Sequence, residues 1–322
     1  MRVLIIGGFG FIGGRLADHL LRAGHKVVLG SRNTMGSPAW LPLAQVAQIE
    51  WDNDRVLERQ CDGIDVVIQA AGMNAQDCAD DPVGALAFNG LATARLVAAA
   101  SRVNVKRLIY LSSAHVYASP LVGAITEKTC LQNLHPYATS HIAGEYATLT
   151  ANHDGKVHGF VLRLSNVFGA PMHKNVNCWK LLVNDLCKQA VQTRKLVLNT
   201  SGQQQRDFIS MTEVCGVIEH FTVDHGDSEQ SGIFNVGAGL SQSVLAMAQL
   251  IQQRCIHVLG YEPELQRVQD GTDKRQLTHL SYGVNKLAVL GFKSKFTNKI
   301  VEIDELLRYC ESTYIKKWHF GV

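Results

Sequence analysis

A tyrosine and a histidine stand four residues apart in PYATSH, Pro136 to His141. On a helix that spacing puts Tyr137 and His141 on one face. A phenol beside an imidazole can do proton-transfer chemistry, the phenol as general acid and its phenolate as base. Upstream, LSSAHVY (111–117) supplies a hydroxyl, Ser113, and a second imidazole, His115. Farther upstream, GGFGFIGG places glycines at positions 7, 10 and 13. That spacing suits a phosphate cradle. One glycine permits the tight turn, one lets the backbone approach a pyrophosphate, and one lets a helix pack on the preceding strand. The amides and dipole of the following helix would hold the phosphates. The cradle is assigned Gly7, Phe9, Gly10, Phe11, Ile12 and Gly13.

The second apolar run ends in Gly30-Ser31-Arg32-Asn33. An acidic residue about 20 positions past the glycines would hold the ribose hydroxyls of NAD. Ser31 does not repel a 2′-phosphate, and Arg32 can bind one in forked geometry. These residues favour NADP, with NAD as the alternative if Arg32 is only solvated surface. Asp52 and Asn53 are candidates for the adenine end, and Asp52 is equally a strand-end turn residue. Ala70, Ala71 and Gly72 follow the fourth apolar run and complete the expected cofactor wall.

The elements that must position these groups read as strands alternating with helices. Strand-like apolar runs lie at Arg2–Ile6, Lys26–Gly30, Ala47–Trp51, Val66–Ala70, Arg107–Ser112 and Gly159–Leu164. Helical patterning lies at Phe11–Ala23, Val83–Arg102 and Tyr137–Asn152, then at Asn175–Val191, Gln242–Leu259 and Val301–Tyr314. Alternation of this kind predicts an α/β fold with a doubly wound parallel sheet, in which ligands sit at the carboxyl ends of the strands. We read residues 1–165, with a return segment near 207–236, as a dinucleotide-binding (Rossmann) domain. Residues 166–206 and 237–322 read as a smaller α/β substrate domain.

Bulk composition narrows the function classes. The 322 residues are 46% apolar and 18% charged, with a net charge of +3. That excess is too small to argue for nucleic acid or an anionic membrane. Eight cysteines are scattered, none at Cys-x-x-Cys spacing, so no metal site is expected and a reduced, cytoplasmic setting fits. No run of about 18 apolar residues suggests a membrane span.

The ordered set GGFGFIG, AAG, LSSAHVY, PYATS, LRLSNVFGAP (162–171), RDFI (206–209), FNVGAG (234–239) and LGF (290–292) resembles the extended short-chain dehydrogenase/reductase family. More narrowly, the chain looks like its nucleotide-sugar epimerase, dehydratase and ketoreductase group, from Gly7 to about Phe292. The resemblance makes Ser113 the donor to a substrate oxygen and Tyr137 the acid/base, with hydride passing between the substrate carbon and a nicotinamide. Asn166 would lie near a nucleotide sugar, and Arg206 would bind its diphosphate. A second diphosphate arginine is expected among Arg267 and Arg275, with Arg275 carried forward. His173 and Lys174 are further candidates for the sugar pocket. The resemblance also implies a homodimer, formed through the helices Val83–Arg102 and Tyr137–Asn152.

Two positions depart from the family pattern. The lysine of Tyr-x-x-x-Lys is His141, which gives the tyrosine less cationic help at neutral pH. The Asp-Glu pair that removes water in the dehydratases is Ala114-His115, so a ketoreductase or epimerase is favoured over a dehydratase. His115 then reads as an auxiliary acid/base, a substrate contact or a structural histidine. Two other readings stand beside this one. One is a catalytically weakened cofactor-binding protein acting as a sensor or partner. The other is a reductase of a non-nucleotide carbonyl compound.

Overall fold

The computed structural model describes residues 1–33, 36–223, 231–268, 279–292 and 296–315. Its centre is a seven-stranded sheet whose pairings are all parallel. In chain order the described strands are β1 (Arg2–Ile6), β2 (Lys26–Ser31), β3 (Gln45–Gln48), β4 (Val66–Gln69), β5 (Arg107–Ser113), β6 (Gly123–Ile125) and β7 (His158–Leu164). They continue as β8 (Asn166–Phe168), β9 (Lys195–Leu198), β10 (Gln205–Ser210), β11 (Gly232–Val236), β12 (Ser241–Ser243), β13 (Glu264–Arg267) and β14 (Leu280–Tyr282). The main sheet runs β11-β7-β5-β4-β1-β2-β3. Every residue of β4 and β5 is buried, as expected of strands covered by helices on both faces.

One helical layer contains α1 (Phe11–Arg22); the other contains α2 (Asp54–Cys61). After α3 (Ala75–Asp80) and α4 (Pro82–Ala85), the chain makes a π-helical stretch, Leu86–Ala92, that runs into α5 (Thr93–Arg102). By length and mean hydropathy the continuous helix Pro82–Arg102 could cross a membrane, but half of it is buried inside the protein. The long helix α6 (Pro136–His153) packs beside it.

The order of the sheet reverses direction at β1. The chain runs outward through β2 and β3, then returns to place β4 and β5 on the other side. Such a switch point opens a crevice at the strand ends. Ile6 is level with Gly30 on one side and Gln69 on the other, so the residues that follow these strands meet at one place.

A second core lies beside the main sheet. It is built from α7 (Leu182–Thr193), α9 (Val244–Leu259) and α11 (Phe296–Tyr314), reached after α8 (Met211–Thr222) and the short α10 (Asn285–Val289). Sheets β12-β10-β8 and β13-β9 frame this core. The chain then adds α8 and the edge strand β11, both of which pack with the main sheet. A buried Glu302 fastens the two parts. It accepts from Arg15 at 2.9 Å and from the amide of Thr212 at 2.9 Å.

Candidate active site

The crevice is a cavity of about 1050 Å³. At one end stands the glycine turn. Gly7 has φ +81°, and a Cβ on Gly13 would stand 2.2 Å from the Gly7 carbonyl oxygen. The turn is therefore closed to any larger residue at 13. Gly10 caps α1 without a side-chain hydrogen bond, and the first turn of α1 holds no acidic residue. The opening amides of the helix thus meet a cavity lined by Gly7, Phe9, Gly10, Phe11 and Ile12. These features fit a dinucleotide pyrophosphate. Ala70, Ala71, Gly72, Ser31 and Arg32 also line the cavity, and no carboxylate occupies the end of β2.

Asp52 and Asn53 go elsewhere. Asp52 is exposed and pairs with Arg95, while Asn53 caps α2 by accepting from the Val56 amide. Neither lines the cavity, whereas the neighbouring Trp51 does. Trp51 meets Phe88 edge to face at 5.8 Å and offers a flat apolar wall. The misreading has a physical cause. The third strand covers Gln45–Gln48 rather than Ala47–Trp51, because the chain turns after Ile49 to enter α2.

At the centre, Ser113 ends β5 and Tyr137 opens α6. The Ser113 hydroxyl lies close enough to the Tyr137 phenol to favour its ionised form, and Ser113 Oγ accepts from the His115 amide at 3.2 Å. Pro136 sits in the first turn of α6, where its missing N–H costs nothing, and His135 Nδ1 accepts from the Tyr137 amide at 3.1 Å. Burial raises the Tyr137 phenol above its ordinary range, and the nearby Ser113 hydroxyl only partly offsets this. His141 follows one turn later. It is 6% exposed, packs edge to face on Tyr137 with centroids 4.5 Å apart, and is pushed down to about 4 by burial. Its imidazole is therefore neutral at physiological pH, and Tyr137 has no cation beside it from this position.

His115 and Arg206 share the far side of the cavity. The strand stops at Ser113, and Ala114–Val116 forms a 3-10 turn, so His115 reaches the cavity from a turn rather than from a continued strand. Burial and the Arg206 guanidinium both lower its pKa, and a bond to the Ala118 backbone acts the other way. Asn133 Nδ2 donates to the His115 carbonyl at 2.6 Å and fixes the turn. Asp207 is no partner for Arg206 in this geometry. Its carboxylate faces the opposite side of β10 and accepts from Ser165 Oγ at 2.6 Å and the Ala238 amide at 2.8 Å. Asn166 lines the cavity while its Nδ2 donates to the Asp207 carbonyl at 2.8 Å.

The structure brings Ser113, His115, Tyr137, His141, Asn166 and Arg206 to one cavity. It leaves out His173 and Lys174. His173 instead donates from Nε2 to the Phe9 carbonyl at 3.1 Å and stacks on Trp40 at 5.0 Å, a brace for the glycine turn. Arg275 lies outside the described residues. Arg267 is turned away, donating to the Ser201 carbonyl at 3.2 Å. Sequence reasoning missed Lys180, which lines the cavity from the loop before α7. The sequence pattern predicts one helix over Asn175–Val191, whereas α7 begins at Leu182 and the stretch before it is irregular although Val176 and Cys178 are buried.

Residues 3–237 match the NAD dependent epimerase/dehydratase family. The chain belongs to that family. Relatives are distant, and some match over nearly their full length. A putative UDP-glucose 4-epimerase of Methanocaldococcus jannaschii is 23% identical over 92% of this chain and 94% of its own length. The dTDP-6-deoxy-L-talose 4-dehydrogenase (NAD(P)(+)) of Kitasatospora kifunensis is 29% identical over 78% of each chain. Among solved structures, a UDP-N-acetylglucosamine 4-epimerase from Methanobrevibacter ruminantium, in complex with UDP-N-acetylmuramic acid, superposes with a TM-score of 0.80. It is 22% identical and covers 97% of this chain and 98% of the other. That likeness establishes the fold, an epimerase/dehydratase Rossmann architecture.

Proposed function

We propose that this family member is an oxidoreductase acting at a carbinol or carbonyl carbon of a nucleoside-diphosphate sugar. In this reading NADP is the dinucleotide, and ketoreduction or epimerisation is favoured over dehydration. One observation carries it. The Ser113–Tyr137 hydroxyl pair stands between the glycine turn and Arg206 within a single cavity. The bound dinucleotide would supply the hydride equivalent. Ser113 then donates to the substrate oxygen, and Tyr137 gives or takes its proton. The raised phenol keeps Tyr137 protonated at neutral pH, the form that returns a proton to a carbonyl oxygen during reduction. No carboxylate stands at 114 or 115, which speaks against dehydration by an acidic pair. Arg32 at the mouth of the cavity, with no acid at the end of β2, supports the 2′-phosphate of NADP.

Arg206 is read as a contact to a diphosphate and Asn166 as a contact to the attached sugar. Copies of the chain would pair through the exposed apolar face of Val83, Leu86, Leu91 and Tyr146, giving a homodimer. The test is a panel of UDP-, GDP- and dTDP-sugars with NADPH and NADH, followed for dinucleotide turnover and product configuration.

A second reading is favoured by one feature, the neutral His141. A protein that binds dinucleotide and sugar nucleotide but turns over slowly would serve as a sensor or partner. In that case both ligands bind and no sugar is converted.

A further inference from the structure

His141 is held by more than its own helix. Tyr110, on β5 three residues before Ser113, is fully buried, and its hydroxyl lies 2.8 Å from His141 Nδ1. The two ring centroids are 5.9 Å apart and tilted, so the contact is made through the hydroxyl rather than by stacking. The phenol fits because the next turn of α6 carries Gly144. A Cβ there would stand 2.6 Å from both Tyr110 Cζ and its oxygen. On the opposite edge, Nε2 faces Gly72, where a Cβ would stand 3.6 Å away, and both residues line the cavity. The imidazole thus has a phenol on one nitrogen and the cofactor wall on the other.

The direction of the bond follows from the proton count. If Nδ1 carried the hydrogen and donated to Tyr110, the phenol's own hydrogen would be buried with no acceptor among the described residues. An unsatisfied buried donor is costly, whereas a phenol donating to Nδ1 satisfies both groups. The ionisable groups shown against the ring are Tyr137 on α6 and Tyr110 on β5, and these in turn feel Glu145 and Cys78. Glu145 is committed to Arg163, at 2.6 Å, and to Ser112. None of them supplies a carboxylate contact to the imidazole that would favour its charged form.

We propose that Tyr110 is a positioning residue: its hydroxyl donates to Nδ1 of His141 and holds the ring's one hydrogen on Nε2, facing the dinucleotide cavity. There Nε2–H is a directed donor for a cofactor hydroxyl. Gly144 belongs to the same device, because it makes room for the phenol. The use of Nε2–H rests on the reading of the cavity given above, whereas the tautomer itself does not.

The test is long-range nitrogen–proton NMR of the ligand-free full chain labelled at histidine nitrogens, with His141 assigned by its loss in His141→Gln. The wild type is expected to show the Nε2–H pattern. Tyr110→Phe, and independently Gly144→Ala, should lose that pattern in favour of mixed tautomers. NADPH affinity in both should fall about 2- to 12-fold, the equilibrium equivalent of one hydrogen bond. An Nδ1–H pattern in the wild type, or an unchanged pattern in Tyr110→Phe, would overturn the assignment. If the wild type shows Nε2–H but binds neither NADPH nor NADH, Tyr110 keeps its role and the cofactor reading of the cavity falls.

Discussion

His141 occupies the position where a cation would ordinarily steady a tyrosinate, and its burial leaves it neutral. Replacing it with lysine restores a charge next to Tyr137, so His141→Lys should raise turnover and tighten dinucleotide binding. Steady-state rates and dinucleotide titration of the two proteins decide this, and a wild type that already matches the variant marks the histidine as an evolved catalytic group. The same burial has a consequence for stability. An unfolded histidine titrates near 6.5, above the folded value of about 4. The unfolded chain therefore binds the extra proton first. The contribution of the neutral group is present above pH about 6.5 and is lost as pH falls through about 4, on the order of 3 kcal/mol in total. In His141→Gln that part of the acid destabilisation should vanish, as urea melts at neutral and acidic pH would show. An unchanged pH slope would place the ring in water. At the other end of the cavity, Arg206→Ala should weaken nucleoside-diphosphate binding by about 1.5–3 kcal/mol, the scale of a hydrogen bond to a charged group. Calorimetry with UDP, GDP and dTDP measures it, and an unchanged affinity removes Arg206 from the ligand.

At the scale of elements, the glycine turn leaves no room for a side chain at residue 13. A Cβ at residue 13 would be driven into the Gly7 carbonyl, so Gly13→Ala should cost about 1–3 kcal/mol of stability and abolish dinucleotide binding. Thermal melts with and without NADPH test both effects. A variant that keeps its ligand-induced stabilisation would place the pyrophosphate elsewhere. This turn was legible in the sequence because its glycines are dictated by backbone contacts within one strand–turn–helix unit. The first strand was legible for a similar reason, being a short apolar run closed by glycine. Trp51 was not, because an apolar ring prolongs a strand pattern past the point where the backbone turns. Lys180 was hidden because buried residues in an irregular loop imitate helical spacing. Tyr110 left a usable signal that went unread. A tyrosine in a wholly buried strand must find a partner for its hydroxyl, and a histidine and a glycine one turn apart on the neighbouring helix were the candidates.

For the whole molecule, the proposed two-substrate site rests on two cores and on one cavity lined by both the glycine turn and Arg206. The arrangement of strands followed from the alternation of apolar runs, since a parallel sheet buried on both faces leaves that trace. How the smaller core closes over the cavity did not, because β8, β10 and β12 are short and only their pairing defines them. The apolar face at Val83, Leu86, Leu91 and Tyr146 should be covered by a second copy. Leu86→Glu with Tyr146→Arg should then convert a dimer into a monomer by light scattering, and a monomeric wild type would leave that face uncovered. The central claim is that Tyr137 exchanges a proton with the oxygen on a sugar carbon, while that carbon exchanges hydride with a bound nicotinamide dinucleotide. The most direct measurement is dinucleotide turnover and sugar conversion by the wild type and Tyr137→Phe across the same nucleotide-sugar panel, with ligand binding measured in parallel. The account predicts conversion of at least one sugar nucleotide by the wild type and a loss of 10²-fold or more, roughly the value of general acid–base catalysis, in a variant that still binds both ligands. Equal rates in the two proteins, or binding of neither ligand by the wild type, would contradict it.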